Sequence, residues 1–160
     1  MGDTQILPNP PTAMLKAAHS RMQELFARYD ALCPEEHRAK KLLINEIQEV
    51  LHIHLEIEEL LFYPAVQSMK ADLAIKVVLK ALQEHQQVKI LLKELGAPGL
   101  ESKSLDVKMG ELEKCVLGHL EAEEREIFPH ARLLPPESLQ ELSAEMEMLR
   151  DRLLESRRSQ

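Results

Sequence analysis

The chain predicts an all-α protein, an antiparallel up-down four-helix bundle with an additional short C-terminal helix. Three observations carry that expectation. Only five of 160 residues are glycine, and runs of β-branched residues are absent. Leu, Glu, Lys, Ala and Gln dominate, all residues that lose little side-chain freedom in a helix. Prolines and glycines cluster between stretches of helical periodicity, which leaves four long helices with short connections.

Each element follows from its punctuation. Residues 1–10 read as an N-terminal extension, and Pro8 to Pro11 open the first helix. Cys33-Pro34 separates it from the second, Lys70 to Asp72 breaks before the third, and Gly96-Ala97-Pro98-Gly99 closes the third. A fourth helix is expected from Ser102 or Ser104 to Phe128, completing a bundle over residues 11–134. Residues 135–160 begin with Pro135-Pro136 and place Leu139, Leu142, Met146, Leu149 and Leu153 on one stripe. That stripe suits packing on the bundle, and it also suits pairing with a second copy as a homodimer.

Composition narrows the function. With 44% apolar and 29% charged residues and a formal charge of −7, the chain reads as one globular domain. Its acidic balance offers no footprint for nucleic acid. No apolar run approaches the ~18 residues that span a bilayer. The start Met1-Gly2-Asp3-Thr4-Gln5 lacks the basic flank and apolar stretch of a secretory signal, so the expectation is a cytoplasmic chain without membrane or nucleic-acid partners. Cys33 and Cys115 are too few for a disulfide framework or a thiolate cage.

The chemistry lies in a repeat. Residues 54–64 read HLEIEELLFYP and residues 119–129 read HLEAEEREIFP. They match at the His, the Leu, three Glu and the Pro, with an aromatic before each proline. His19 precedes His54 by 35 positions, and His85 precedes His119 by 34. The chain thus reads as two helix pairs, each with one lone His and one His-x-x-x-Glu. Packed antiparallel, they gather four ligand-bearing turns around a pseudo-twofold axis.

Helical phase supports the gathering, because residues at 100° steps either join the apolar face or leave it. His54 and Glu58 share a face with Ile47, Leu51 and Leu61, and His119 and Glu123 share one with Leu112, Cys115 and Val116. His85 falls with Val78, Ala81 and Val88, and His19 with Leu15, Met22 and Phe26. His52 points the other way, with Glu56 and Glu59. A lone His on an apolar face is commonly a hydrogen-bonded core residue. Two buried carboxylates are harder to explain, since an unpaired one costs several kcal/mol. No Lys or Arg stands at the partner positions except Lys89, one turn after His85. Metal is the cheaper explanation, and nitrogen and oxygen donors without thiolate suit iron or manganese, with zinc also compatible.

These residues resemble the hemerythrin-like, HHE cation-binding family. The likeness rests on the lone His, the His-x-x-x-Glu-Glu that leads to an aromatic and Pro, the Glu84-His85 pair, and the second such motif ending at Phe128-Pro129. It covers residues 12–130. The resemblance implies a four-helix bundle with two non-haem irons and a bridging oxo or hydroxo group. His19 and His54 would hold one iron, His85 and His119 the other, and Glu58 and Glu123 would bridge.

One departure matters. Oxygen-carrying hemerythrins place a second His one turn after the first on the third helix, where this chain has Lys89. With about six positions per iron, four His, two bridging carboxylates and one bridging oxygen leave roughly one position open on each. The expectation is therefore binding of dioxygen, peroxide or nitric oxide in stress response or redox chemistry rather than oxygen carriage. The alternative is an iron- or oxygen-responsive regulatory module without turnover. Enzyme status stays open. Lys89 is read either as an ammonium above the site or as a snorkelling side chain. Glu126 is either an extra ligand, a channel carboxylate or a surface residue. Cys115 either lines the pocket or simply fills core. Phe26, Tyr29, Phe62, Tyr63 and Phe128 form either a hydrophobic lid or plain packing. Glu59 and Glu124 either hydrogen-bond the ligands from outside or stay solvated, and His37 and His130 are assigned no metal.

Overall fold

The structure is a computed structural model that describes residues 9–159. Residues 1–8, most of the expected N-terminal extension, lie outside the described residues. Helices and turns account for the described chain, with no strand among the described residues. Helix α1 spans Pro11–Asp30 and opens with proline in its first turn, where the missing N–H costs no hydrogen bond. Helix α2 spans His37–Ile57, passes into a π-helical segment, Glu58–Phe62, and ends as α3, Tyr63–Gln67. Helices α4, Asp72–Leu95, and α5, Ser102–Glu126, form the second pair. A short turn of helix, α6, spans Phe128–Ala131, and α7 spans Pro136–Arg158.

The π segment has a local cause. Pro64 has no N–H to give the carbonyl of Leu60, and its ring would crowd the preceding turn of an α-helix. Widening the turn relieves both, and the Tyr63 N–H donates to the Glu58 carbonyl five residues back. In the second repeat the corresponding Pro129 instead ends the helix: α5 stops at Glu126 and α6 begins at Phe128. The connection from α3 to α4 turns through Lys70 at φ 55°, and that from α4 to α5 through Gly99 at φ 79°.

Two apolar clusters fill the interior. One gathers Met22, Phe26, Leu51, Val88 and Val116; the other gathers Leu15, Ile57, Ala81 and Ile127. Along α1 the chain passes from the second cluster to the first, along α2 from the first to the second, and α4 and α5 repeat the alternation. In each helix the change comes at a buried histidine. At the far side of the first cluster Lys40, 5% exposed, is held by both oxygens of Asp106 at 3.0 Å, and the Tyr29 hydroxyl donates to Asp106 at 2.6 Å.

The C-terminal helix is not short. At 23 residues it matches its neighbours, because its stripe runs without a breaker from Leu139 to Leu153. It packs on α1, α2 and the π segment, burying Met146 fully and Leu142 nearly so. No described helix is long and apolar enough to cross a membrane.

Candidate metal centre

The four histidines and two glutamates singled out by phase converge between the two apolar clusters. His19, His54, Glu58, His85, His119 and Glu123 are each at most 3% exposed. His54 Nε2 lies 2.8 Å from Glu58 Oε1, with His85 Nε2 at 3.4 Å and His119 Nε2 at 3.8 Å from the same oxygen. Glu123 Oε2 lies 3.1 Å from His119 Nε2, and its Oε1 lies 3.6 Å from His19 Nε2. The ligand atoms form two groups, His19, His54, Glu58 and Glu123, and Glu58, His85, His119 and Glu123, in each of which all lie within 4.8 Å of one another. Both carboxylates belong to both groups.

The donor atoms fit a metal on their own evidence. Both oxygens of Glu58, Glu123 Oε1, both ring nitrogens of His19 and His54 Nε2 are buried without a hydrogen-bond partner. Such groups are normally satisfied, and each left orphaned costs about 1–3 kcal/mol. A cation in each group would satisfy the carboxylate oxygens and the inward Nε2 atoms together, while His19 Nδ1 faces Glu124 outside the group. Without it the carboxylates and imidazoles act on one another. Burial opposes the charge of His54, yet Glu58 outweighs it and raises the imidazole above its usual range. Burial likewise opposes ionisation of Glu58, but His54 and its other donors hold the carboxyl well below its usual value. His119 is pushed up to about 12, the carboxylates of Glu123, Glu58 and Glu84 overcoming the cost of burial.

Tyr63 joins the site, a role the lid reading misses. Its hydroxyl donates to Glu123 Oε2 at 2.8 Å and lies 3.2 Å from His85 Nε2 and 3.5 Å from His119 Nε2. Burial and the two glutamates raise the phenol well above its usual pKa, so it stays protonated. The π turn explains the placement: five residues after Glu58, Tyr63 is carried onto the same face. Phe128, its counterpart in the second repeat, stacks on the His19 ring at 5.6 Å and brings no polar atom. The two groups therefore differ, with a phenol oxygen among the donors of one and a phenyl ring beside the other.

The second glutamate of each motif reaches across to the lone histidine of the other helix pair. Glu59 Oε2 lies 3.5 Å from His85 Nδ1, and Glu124 Oε2 lies 3.8 Å from His19 Nδ1. Glu84 stands 3.7 Å from His119 Nδ1, and that contact lowers its pKa. Lys89 is half-exposed and bonds Glu59 Oε1 at 2.7 Å, outside the centre rather than above it. Glu126 pairs with Lys80 and Arg125 near the surface. Half-buried Cys115 packs against the first apolar cluster. Exposed His52 pairs with Glu56, and neither His37 nor His130 belongs to a ligand group.

An all-helical chain with paired His/Glu groups buried at its centre defines a metal-binding helical protein. The model of the hemerythrin HHE cation binding domain matches residues 11–154, and the chain belongs to that family. A crystal structure of a hemerythrin HHE cation binding domain-containing protein from Mycobacterium kansasii is similar, with 25% identity over 94% of this chain and 93% of that one and a TM-score of 0.72. No curated protein matches.

Proposed function

We propose that this chain is a hemerythrin-like non-haem di-iron protein that binds dioxygen, peroxide or nitric oxide in stress response or redox chemistry. One observation carries the reading: two buried four-residue groups share both of their carboxylates. The proposed cofactor is two non-haem irons with an oxo or hydroxo group between them, manganese or zinc being compatible with the same donors. His19 and His54 would hold one ion, His85 and His119 the other, and Glu58 and Glu123 both. Bound there, iron would supply reversible one-electron chemistry toward small oxygen and nitrogen ligands. The reading takes the fold as an antiparallel up-down bundle, which the alternating passage of α1, α2, α4 and α5 through the two clusters supports.

The protein's own residues orient and insulate. Glu59, Glu124 and Glu84 face the outer nitrogens of His85, His19 and His119, which favours the tautomer that presents Nε2 to a metal. Tyr63 keeps a proton on Glu123 Oε2's side of the second group. Flanking apolar clusters exclude water, which strengthens every interaction inside.

A regulatory reading has one specific support. Helix α7 packs on the π segment that begins at Glu58, so metal-dependent order at that residue has a direct path to the C-terminal helix. Self-association through α7 would use exposed Met148 beside exposed Leu60, since Leu142 and Met146 are spent within the chain.

Anaerobic reconstitution with ferrous iron, followed by air and measurement of iron content and absorption, tests the proposal. About two irons per chain with new near-ultraviolet charge-transfer absorption is the expected result. Fewer than about one iron with unchanged helicity would refute the site.

A further inference from the structure

The two sides of the centre differ in chemistry. Around His85 and His119 the neighbours are polar: Glu59 with Lys89 behind it, Glu84, and the Tyr63 hydroxyl. Around His19 and His54, Glu124 is the polar neighbour of His19 Nδ1, while Phe128 covers the His19 ring. On this side a cavity of about 240 Å³ lies between α1, α2 and α7, walled by Leu15, Ala18, Val50, Ile53, Ile57 and Met146. His54 forms part of the same wall, and its Nε2 lies 2.8 Å from Glu58. The imidazole thus touches both the cavity and the proposed ligand set.

Charge and polarity select the occupant. Arg21 and Arg150 complete the lining, but Arg21 is paired with Glu24 and Glu46 and Arg150 with Asp151. Neither presents an uncompensated cation to an anion. Apolar walls penalise any guest that must shed hydrogen-bonded water, whereas apolar cavities accept uncharged guests such as xenon or benzene.

We infer that this cavity is the port by which small uncharged diatomic ligands, dioxygen or nitric oxide, reach the His19/His54 side of the centre, with α7 as its outer wall. The inference rests on the di-iron reading above. It gives the C-terminal helix a part in ligand entry and makes the two metals unequal in access.

Two probes test it, xenon for the cavity and nitric oxide for the route. Ala18→Phe fills the space from α1, and Val50→Phe does so from α2 should the first variant fail to fold. Val77→Phe, in the cleft beside Glu126, is the control. In xenon-pressurised crystals the gas is expected beside His54 in the wild type and absent from the filled variants. In stopped-flow mixing with the ferrous-loaded protein, the filled variants are expected to bind nitric oxide at least about tenfold more slowly. Their iron content and absorption should be unchanged, and Val77→Phe should match the wild type. An unchanged association rate with xenon displaced, or no xenon in the wild type, would overturn the port and leave the di-iron reading standing. An iron-loaded wild type that forms no nitric oxide or dioxygen adduct would overturn that reading, and the port with it.

Discussion

Glu58 and Glu123 each belong to both ligand groups, whereas each histidine belongs to one. Replacing a shared residue should therefore cost twice what replacing an unshared one costs, which a merely structural polar layer would not require. A metal held at about 100 times its dissociation constant adds about 2.7 kcal/mol to folding stability, so two independent ions add about 5 kcal/mol. For a chain of this size about 1 kcal/mol moves Tm by about 2–4 °C. Metal should thus raise the wild-type Tm by about 10–20 °C over the chelated protein. His19→Leu leaves Glu58, His85, His119 and Glu123 in place; it should keep about one ion and about half of the shift. Glu58→Leu should abolish both ions and nearly all of it. Calorimetry with and without chelator, paired with elemental analysis, reads the ladder. A Glu58→Leu protein that retains a full ion and half of the shift would refute the sharing, as would a His19→Leu protein that loses both.

Four further outcomes follow from the same geometry. Tyr63→Phe removes a buried donor to a carboxylate and should cost the metal-free protein about 1.5–3 kcal/mol in urea denaturation; a change below about 0.5 kcal/mol would mean that the bond does not form. Lys89→Ala should leave iron content unchanged, because the ammonium meets Glu59 outside the centre, and its loss of stability should stay below about 1 kcal/mol. Asp106 is held below its usual pKa by the Tyr29 hydroxyl and Lys40, against the cost of burial. Its contribution is present above the usual carboxylate value and lost as pH falls through the depressed one, so Asp106→Asn should narrow the gap between neutral and acid denaturation midpoints. An acid limb identical to that of the wild type would contradict that pairing. Met146→Ala, at a fully buried site under α7, should cost about 2–5 kcal/mol; a loss under about 0.5 kcal/mol would show that α7 does not dock there.

Much of the site was legible because burial and charge conflict openly in the sequence. Glu58 and Glu123, each four residues after an apolar-face histidine, can be placed by phase alone, and the structure buries both beside the four histidines. Regular phase stops being a guide where the helix stops being regular. The π segment adds a residue to one turn and rotates everything after Glu58, so Tyr63 reaches Glu123 rather than forming a lid. Pro64 was the available signal, since a proline without an obvious break demands a local adjustment of the backbone. The outward glutamates illustrate a different limit. Phase places Glu59 and Glu124 away from their own helices' apolar faces, but which residue of another helix they meet depends on how the helices pack.

The crossing of ligands between the two halves also bears on how the protein is made. Synthesis delivers His19, His54 and Glu58 first, and Glu123 follows only at the end of α5. Because each group requires a residue from both halves, a nascent chain halted after α3 owns neither centre in full. It can form helices from the N-terminus onward, but it holds three residues of one group and one of the other. On the proposed metal reading, a complete donor set exists only once α5 has been made, so loading would follow synthesis of the second half.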